Sequence, residues 1–193
     1  MQEAPLGLGH AVRCAREAVG DAPFAVVLPD DLILGEPGAL AEMIGAWEET
    51  SGHLVAAMEV PREATSAYGI LTPLERRGAL TRASAMVEKP APEDAPSILA
   101  VVGRYVLDGS IFDDLARQTP GAGGEIQLTD AIAAGIPRVG LAGFAFSGTR
   151  FDCGSKAGML AATLHLAARD PACRAVLEAQ GLAAAPATRI AAE

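Results

Sequence analysis

Four charged residues of this sequence are suited to handling a phosphate and its counter-ion: Asp30, Asp152 and the adjacent pair Glu88 and Lys89. Asp30 and Asp31 follow the apolar run Phe24-Ala25-Val26-Val27-Leu28 and Pro29. Such a run reads as a buried strand of a parallel sheet. The carboxyl end of a strand is where open α/β sheets place their ligands. Magnesium is usually held by one or two carboxylates plus the phosphates of its substrate. Asp152, in the turn Phe151-Asp152-Cys153-Gly154, is a second carboxylate that could meet Asp30 across the sheet edge. On local sequence alone, capping of the next segment accounts for Asp30 or Asp31 equally well.

Glu88 and Lys89 lie between Val87 and Pro90. A carboxylate accepts hydrogen bonds from sugar hydroxyls, and an ammonium neutralises a phosphate. An ordinary exposed turn is the commoner use of such a pair. Gly7-Leu8-Gly9-His10-Ala11 opens a helix, and glycine there lets an anion or a base edge approach the backbone. This is not a dinucleotide fingerprint, because the third glycine is missing. No GxxxxGK[ST] phosphate loop is present. His10 at such a position is more often a surface or packing residue than a catalyst. Gly121-Ala122-Gly123-Gly124-Glu125 reads as a connector or a backbone cradle. Cys153 has no histidine base near it in sequence, so a nucleophilic cysteine is not expected. Met43 and Trp47 share a helical face and read as core.

The segments between these residues read as the frame of an α/β domain. A helix is expected over 7–20, strands over 24–28 and 53–60, and a helix around Leu40, Met43, Ile44 and Trp47. That αβαβ order predicts a doubly wound, mostly parallel sheet. Residues 68–72 and 80–88 read as a hairpin with antiparallel character, turning at Arg76-Arg77-Gly78. Strands at 98–107 and 141–146 and helices at 111–118, 125–134, 156–168 and 172–180 complete the pattern. Gly135 and Pro137 are expected to cut the helix before them. Residues 1–182 read as the folded domain, and the alanine-rich stretch 183–193 as a frayed tail.

With 193 residues the chain can bury a real core, and its formal charge of -9 argues against a broad nucleic-acid surface. Three scattered cysteines make no disulfide framework and fit a reducing cytoplasm. Three separated histidines show no metal-ligand spacing. No apolar run reaches membrane-spanning length, and the first residues do not resemble a signal peptide.

Taken in order, several blocks resemble the bacterial UTP–glucose-1-phosphate uridylyltransferases (UDP-glucose pyrophosphorylases). They are Gly7-Leu8-Gly9-His10-Ala11, Val27-Leu28-Pro29-Asp30-Asp31, Tyr68-Gly69, Val87-Glu88-Lys89-Pro90, Val102-Gly103-Arg104-Tyr105, Gly124-Glu125-Ile126-Gln127-Leu128-Thr129-Asp130 and Phe151-Asp152-Cys153-Gly154. The resemblance implies a Rossmann-like nucleotidyltransferase fold, Mg2+ as cofactor, and UTP and glucose 1-phosphate as substrates. It also implies a cytoplasmic, homo-oligomeric enzyme. By the same resemblance, Gln2 and Gly7 read the uracil edge, and Asp30 is the metal aspartate with Asp152 a second acid at the metal. Gly69 and Glu88 contact glucose, Lys89 meets the sugar phosphate, and Arg104 and the 125–130 block line or support the sugar side.

Members of that family begin with a strand and a loop carrying Gly-x-Gly-Thr-Arg, which this sequence does not contain. The sequence thus reads as lacking the first strands and the phosphate loop. The strand at 24–28 is then expected to have a free edge, with low stability or aggregation as its consequence. Two other readings stay open: a sugar-phosphate binding module without turnover, or a partner of a longer paralogue. A nucleotidyltransferase for another sugar or for dTTP is a near variant of the first.

Overall fold

The computed structural model describes residues 2, 4–50, 52–119 and 124–182. Helices α1 (Leu8–Arg13) and α2 (Arg16–Val19) precede strands β1 (Phe24–Val27) and β2 (Asp31–Leu34). Helix α3 (Ala39–Thr50), strand β3 (His53–Glu59) and a 3-10 turn at Arg62–Ala67 follow. Strands β4 (Gly69–Arg77), β5 (Leu80–Glu88) and β6 (Leu99–Leu107) lead to helices α4 (Ile111–Arg117) and α5 (Leu128–Val139). Strands β7 (Leu141–Phe144) and β8 (Thr149–Asp152) and helices α6 (Lys156–Ala167) and α7 (Pro171–Ala179) end the series. The expected tail at 183–193, and residues 121–123 of the glycine-rich segment, lie outside the described residues.

Six strands form one sheet in the order β1-β6-β3-β7-β5-β4, and β4 also meets β6 through Ile70 and Ala100. The sheet therefore curls back on itself at that corner. Alternate residues of β3 point to opposite faces and enter two cores. Val55 and Ala57 join Leu71, Val101, Phe112, Leu115 and Ile132 under α4 and α5. Leu54 and Ala56 join Met43, Val102 and Val106 under α3. Met43, Leu54 and Phe112 are fully buried, and each such side chain contributes about 2 kcal/mol. Helices thus cover both faces, as the α/β reading required.

The expectation of a mostly parallel sheet is corrected. Among the described residues only β3 and β7 pair in parallel, and the other ladders are antiparallel, so the sheet is mixed. An apolar run reports burial but not the direction of its neighbours. The β4–β5 hairpin was legible, and it reverses the chain so that β6 returns antiparallel beside β3. β1 is also not a doubly buried strand. It pairs with β6 alone, at one end of the strand order, and its residues alternate between half-buried and exposed. Phe24 stacks on Phe112 at 5.0 Å, whereas Val27 stays 48% exposed.

Three smaller expectations change. The helix over 7–20 is two helices, because Ala15 donates to Val12 three residues back and tightens the end of the first. Residues 31–34 and 149–152 form a separate ribbon, β2 against β8, where no strands were expected. Helix α5 runs through Gly135 and Pro137 to Val139. An interior proline costs about 3 kcal/mol. Burial of Leu128, Ala131, Ile132 and Gly135 along one face of α5 offsets it.

Gly135 has a packing reason: a Cβ there would lie 2.7 Å from Nε2 of His53. His53 is fully buried, its Nδ1 accepts the Asp108 amide at 3.3 Å, and its Nε2 has no partner. Burial pushes its pKa down to about 4, against the opposing pull of Asp108 and Asp114. Between pH 6.5 and about 4 the unfolded chain binds the proton and the folded chain does not. Stability from this group is complete above pH 6.5 and is lost as pH falls to about 4, a change of about 3 kcal/mol. Urea denaturation across this range is expected to show that slope, and His53→Gln to flatten it.

Candidate functional site

The loop after β1 is held by backbone geometry before any side chain acts. Leu28 donates to the Gly103 carbonyl at 2.9 Å, which continues the β1–β6 ladder. Pro29 and Asp30 then turn the chain into β2. Cys153 donates to the Asp30 carbonyl at 2.7 Å, and Asp31 stands opposite Asp152 in the β2–β8 ladder. These contacts bring together two aspartates far apart in sequence. A Cβ on Gly154 would sit 3.1 Å from Asp30 Oδ2 and 3.1 Å from Asp152 Oδ1, so both carboxylates face the same small space. Asp152 Oδ1 also accepts the Gly154 amide at 3.1 Å.

Asp31, which carried no assigned role, is the anchor of this corner. It is buried, at 7% exposure. Oδ2 accepts the Gly103 amide at 2.6 Å, and Oδ1 takes the Arg150 guanidinium at 2.5 Å. Arg150 also donates to the Tyr68 hydroxyl at 3.2 Å and lies over its ring. The side chain of Arg150 is only 12% exposed, so this is a nearly dry ion pair. Removing one partner of such a pair costs about 3–5 kcal/mol.

A cavity of about 280 Å³ opens beside this corner. Asp31, Arg150 and Asp152 bound it on one side, and Tyr68, Gly69, Glu88 and Thr129 on the other. Gly69 pairs with Glu88 across the β4–β5 ladder. Glu88 Oε2 accepts the Thr129 hydroxyl at 2.6 Å, which fixes the carboxylate. The Lys89 ammonium stands 3.6 Å from Glu88 Oε1 and is more than half exposed. Its backbone has φ of 44°, uncommon for a lysine, and its amide donates to the Tyr68 carbonyl at 2.9 Å. Strain of this kind collects at ligand sites.

The structure thus brings Asp30 beside Asp152, and Glu88 beside Gly69 and Lys89; Gly69, Glu88 and Asp152 line the cavity, and Asp30 and Lys89 are their neighbours outside its lining. Gln2 and Gly7 form a further group. Gln2 Nε2 donates to the Gly7 carbonyl at 3.2 Å and lies 3.1 Å from His10 Nδ1. Gly7 has φ of 93°, and its neighbour Leu8 lines the cavity. Arg104 is not brought to the sugar side. Its guanidinium donates to the carbonyls of Leu28 at 2.9 Å, Gly103 at 2.8 Å and Asp31 at 2.5 Å, and so clamps the loop carrying Asp30. Sequence reasoning missed Arg150 altogether and gave no individual part to Tyr68, Thr129 or Tyr105, although three of the four lie inside the matching blocks.

The electrostatics decide what can bind. Asp30, Asp31, Asp152 and Glu88 outnumber Arg150 and Lys89. Tyr105, which lines the cavity, reports the field: burial, then Glu88, Asp31 and Asp30, raise its phenol well above the ordinary value. Burial, then Glu88, raises Asp130 as well. A phosphate would be repelled here unless a cation joined it. Asp31 is committed to Arg150, which leaves Asp30 and Asp152 as the carboxylates for a divalent ion. No cluster of three or more His, Cys, Asp or Glu suited to a metal occurs among the described residues. Two carboxylates with substrate phosphates suffice for magnesium.

The chain belongs to the nucleotidyl transferase family, whose model matches residues 1–169. It is similar to the UTP–glucose-1-phosphate uridylyltransferase of Komagataeibacter xylinus, 46% identical over 150 residues that cover 78% of this chain and 53% of that protein. The Bacillus subtilis (strain 168) protein of the same name is 44% identical over 169 residues, 88% of this chain and 58% of that one. A solved UDP-glucose pyrophosphorylase complexed with UDP-glucose superposes with a TM-score of 0.84 at 37% identity, over 88% of this chain and 65% of that one. The chain spans a little over half the length of the curated relatives it matches. No helix among the described residues is long and apolar enough to cross a membrane.

Gly154→Ala places a methyl group 3.1 Å from one oxygen of each aspartate. It is expected to weaken Mn2+ binding about tenfold with little change in melting temperature. Titration of free Mn2+ by electron paramagnetic resonance measures this.

Proposed function

We propose that this chain carries the metal and sugar-phosphate half-sites for uridylyl transfer from UTP to glucose 1-phosphate. A phosphate oxygen of glucose 1-phosphate attacks the α-phosphorus of UTP in line, UDP-glucose forms and pyrophosphate leaves. The observation that carries this reading is one cavity bounded by Asp152 on one side and by Gly69 and Glu88 on the other. The named relatives support the choice of nucleotide and sugar.

The nucleophile is already an anion, so no strong general base is needed. Positioning and charge neutralisation supply the catalysis. Asp30 and Asp152 would hold Mg2+, which when bound neutralises charge developing on the phosphates. Glu88, with one oxygen fixed by Thr129, accepts hydrogen bonds from glucose hydroxyls in the room left by Gly69. Lys89 meets the sugar phosphate. Gln2 and Gly7 would present an amide and a half-buried backbone to the uracil edge. In this reading the chain acts in the cytoplasm, with residues 1–182 as the unit that receives the substrates.

A second reading is binding of the sugar nucleotide without turnover. Calorimetry is expected to show Mg2+-dependent binding of UDP-glucose, weakened about tenfold in Glu88→Gln and in Lys89→Met. Phosphorus NMR of pyrophosphate release, with UTP or dTTP, then separates transfer from binding alone. If neither UDP-glucose nor glucose 1-phosphate binds, both readings fall.

A further inference from the structure

We infer that Arg150 is a positioning residue that couples the metal half of the site to the sugar-phosphate half. The inference rests on the uridylyl-transfer reading above. Its basis is a continuous path of contacts. Arg150 grips Asp31 Oδ1, and Asp31 is the chain neighbour of Asp30 and the ladder partner of Asp152. On its other side Arg150 donates to the Tyr68 hydroxyl. The Tyr68 carbonyl in turn accepts the amide of Lys89, the residue held at φ of 44°. One guanidinium therefore touches the segment that places the aspartates and the segment that places Lys89.

Chemistry and geometry both favour this arginine in the role. Its planar fork serves two acceptors in fixed directions, which a lysine cannot do. Its charge cancels that of Asp31, so the neighbouring pair Asp30 and Asp152 meets a cation without a third competing carboxylate. Arg150 and Asp152 are two residues apart on β8 and so share a face of that strand. A ligand that draws Asp152 toward a metal therefore acts on the strand carrying Arg150, and through Arg150 on Tyr68. Metal binding and UDP-glucose binding then reinforce one another, each raising affinity for the other by the same factor.

The test uses the whole chain, with Mn2+ followed by electron paramagnetic resonance and UDP-glucose by calorimetry. In the unsubstituted protein Mn2+ is expected to raise UDP-glucose affinity about tenfold or more. Arg150→Lys keeps a positive charge against buried Asp31 and loses the fork. It is expected to fold with a melting temperature close to that of the parent, yet to bind Mn2+ at least about tenfold more weakly. Tyr68→Phe cuts only the hydroxyl link. Whatever its affinities taken singly, the ratio of UDP-glucose affinity with Mn2+ to that without is expected to fall to within about twofold. Parental Mn2+ affinity in folded Arg150→Lys, or full enhancement in Tyr68→Phe, overturns the inference and leaves the uridylyl-transfer reading standing. An unsubstituted chain that binds UDP-glucose with no effect of Mn2+ also overturns it. Failure of that chain to bind UDP-glucose at all overturns the parent reading.

Discussion

The ion pair between Asp31 and Arg150 is the constraint on which the site depends. It joins β2 to β8 within the ribbon and ties the ribbon to β6 through the Gly103 amide. Arg104 repeats the tie from the other side by gripping the carbonyls of Leu28 and Asp31. Two buried charges taken from water are costly, and this pair is tolerated because each group is almost fully hydrogen-bonded. Asp30 and Asp152 are brought together by the Cys153–Asp30 backbone hydrogen bond and the β2–β8 ladder, which this pair braces. They stand on a frame already fixed by a neighbour that does no chemistry of its own.

The main sheet supplies the opposite wall. The β4–β5 hairpin delivers Gly69 and Glu88 as ladder partners, and α5 lays Thr129 against the Glu88 carboxylate. The place where β4 meets β6 at Ile70 closes the sheet next to Gly69. The wall carrying Gly69 and Glu88 is thus built on a deeply packed corner. The wall carrying Asp152 is built on a short ribbon held by charge.

Much of this was legible from sequence because apolar runs and turn residues report burial and reversal locally. The strands β3, β5 and β6 and helices α6 and α7 were read close to their observed bounds, whereas β4 was read only to Thr72 and runs to Arg77. Sheet direction was not legible, since Val and Leu look alike beside a parallel or an antiparallel partner. Pro137 misled because the buried face of α5 outweighs the cost of an interior proline. The ribbon was invisible because Thr149-Arg150-Phe151-Asp152 is short and charged, unlike a core strand. Of the candidate residues, Asp30, Glu88 and Lys89 stood out as charges at strand ends and Asp152 as an acid in a glycine-flanked turn. Asp31 did not, because its partner Arg150 lies 119 residues away, and no local signal links the two. The resemblance implied that Arg104 lines or supports the sugar side, and in the structure its donors close the loop carrying Asp30.

The ribbon has a further consequence for how a bound molecule would leave. Its ladder has four residue pairs and stands apart from the six-stranded sheet. A displacement of β2 and β8 would widen the cavity without breaking any rung of the larger sheet. The least stable cooperative unit of a protein is where such openings occur at low cost. The site is walled by the six-stranded sheet on one side and by the ribbon on the other, and the Gly103 amide on Asp31 ties the two together.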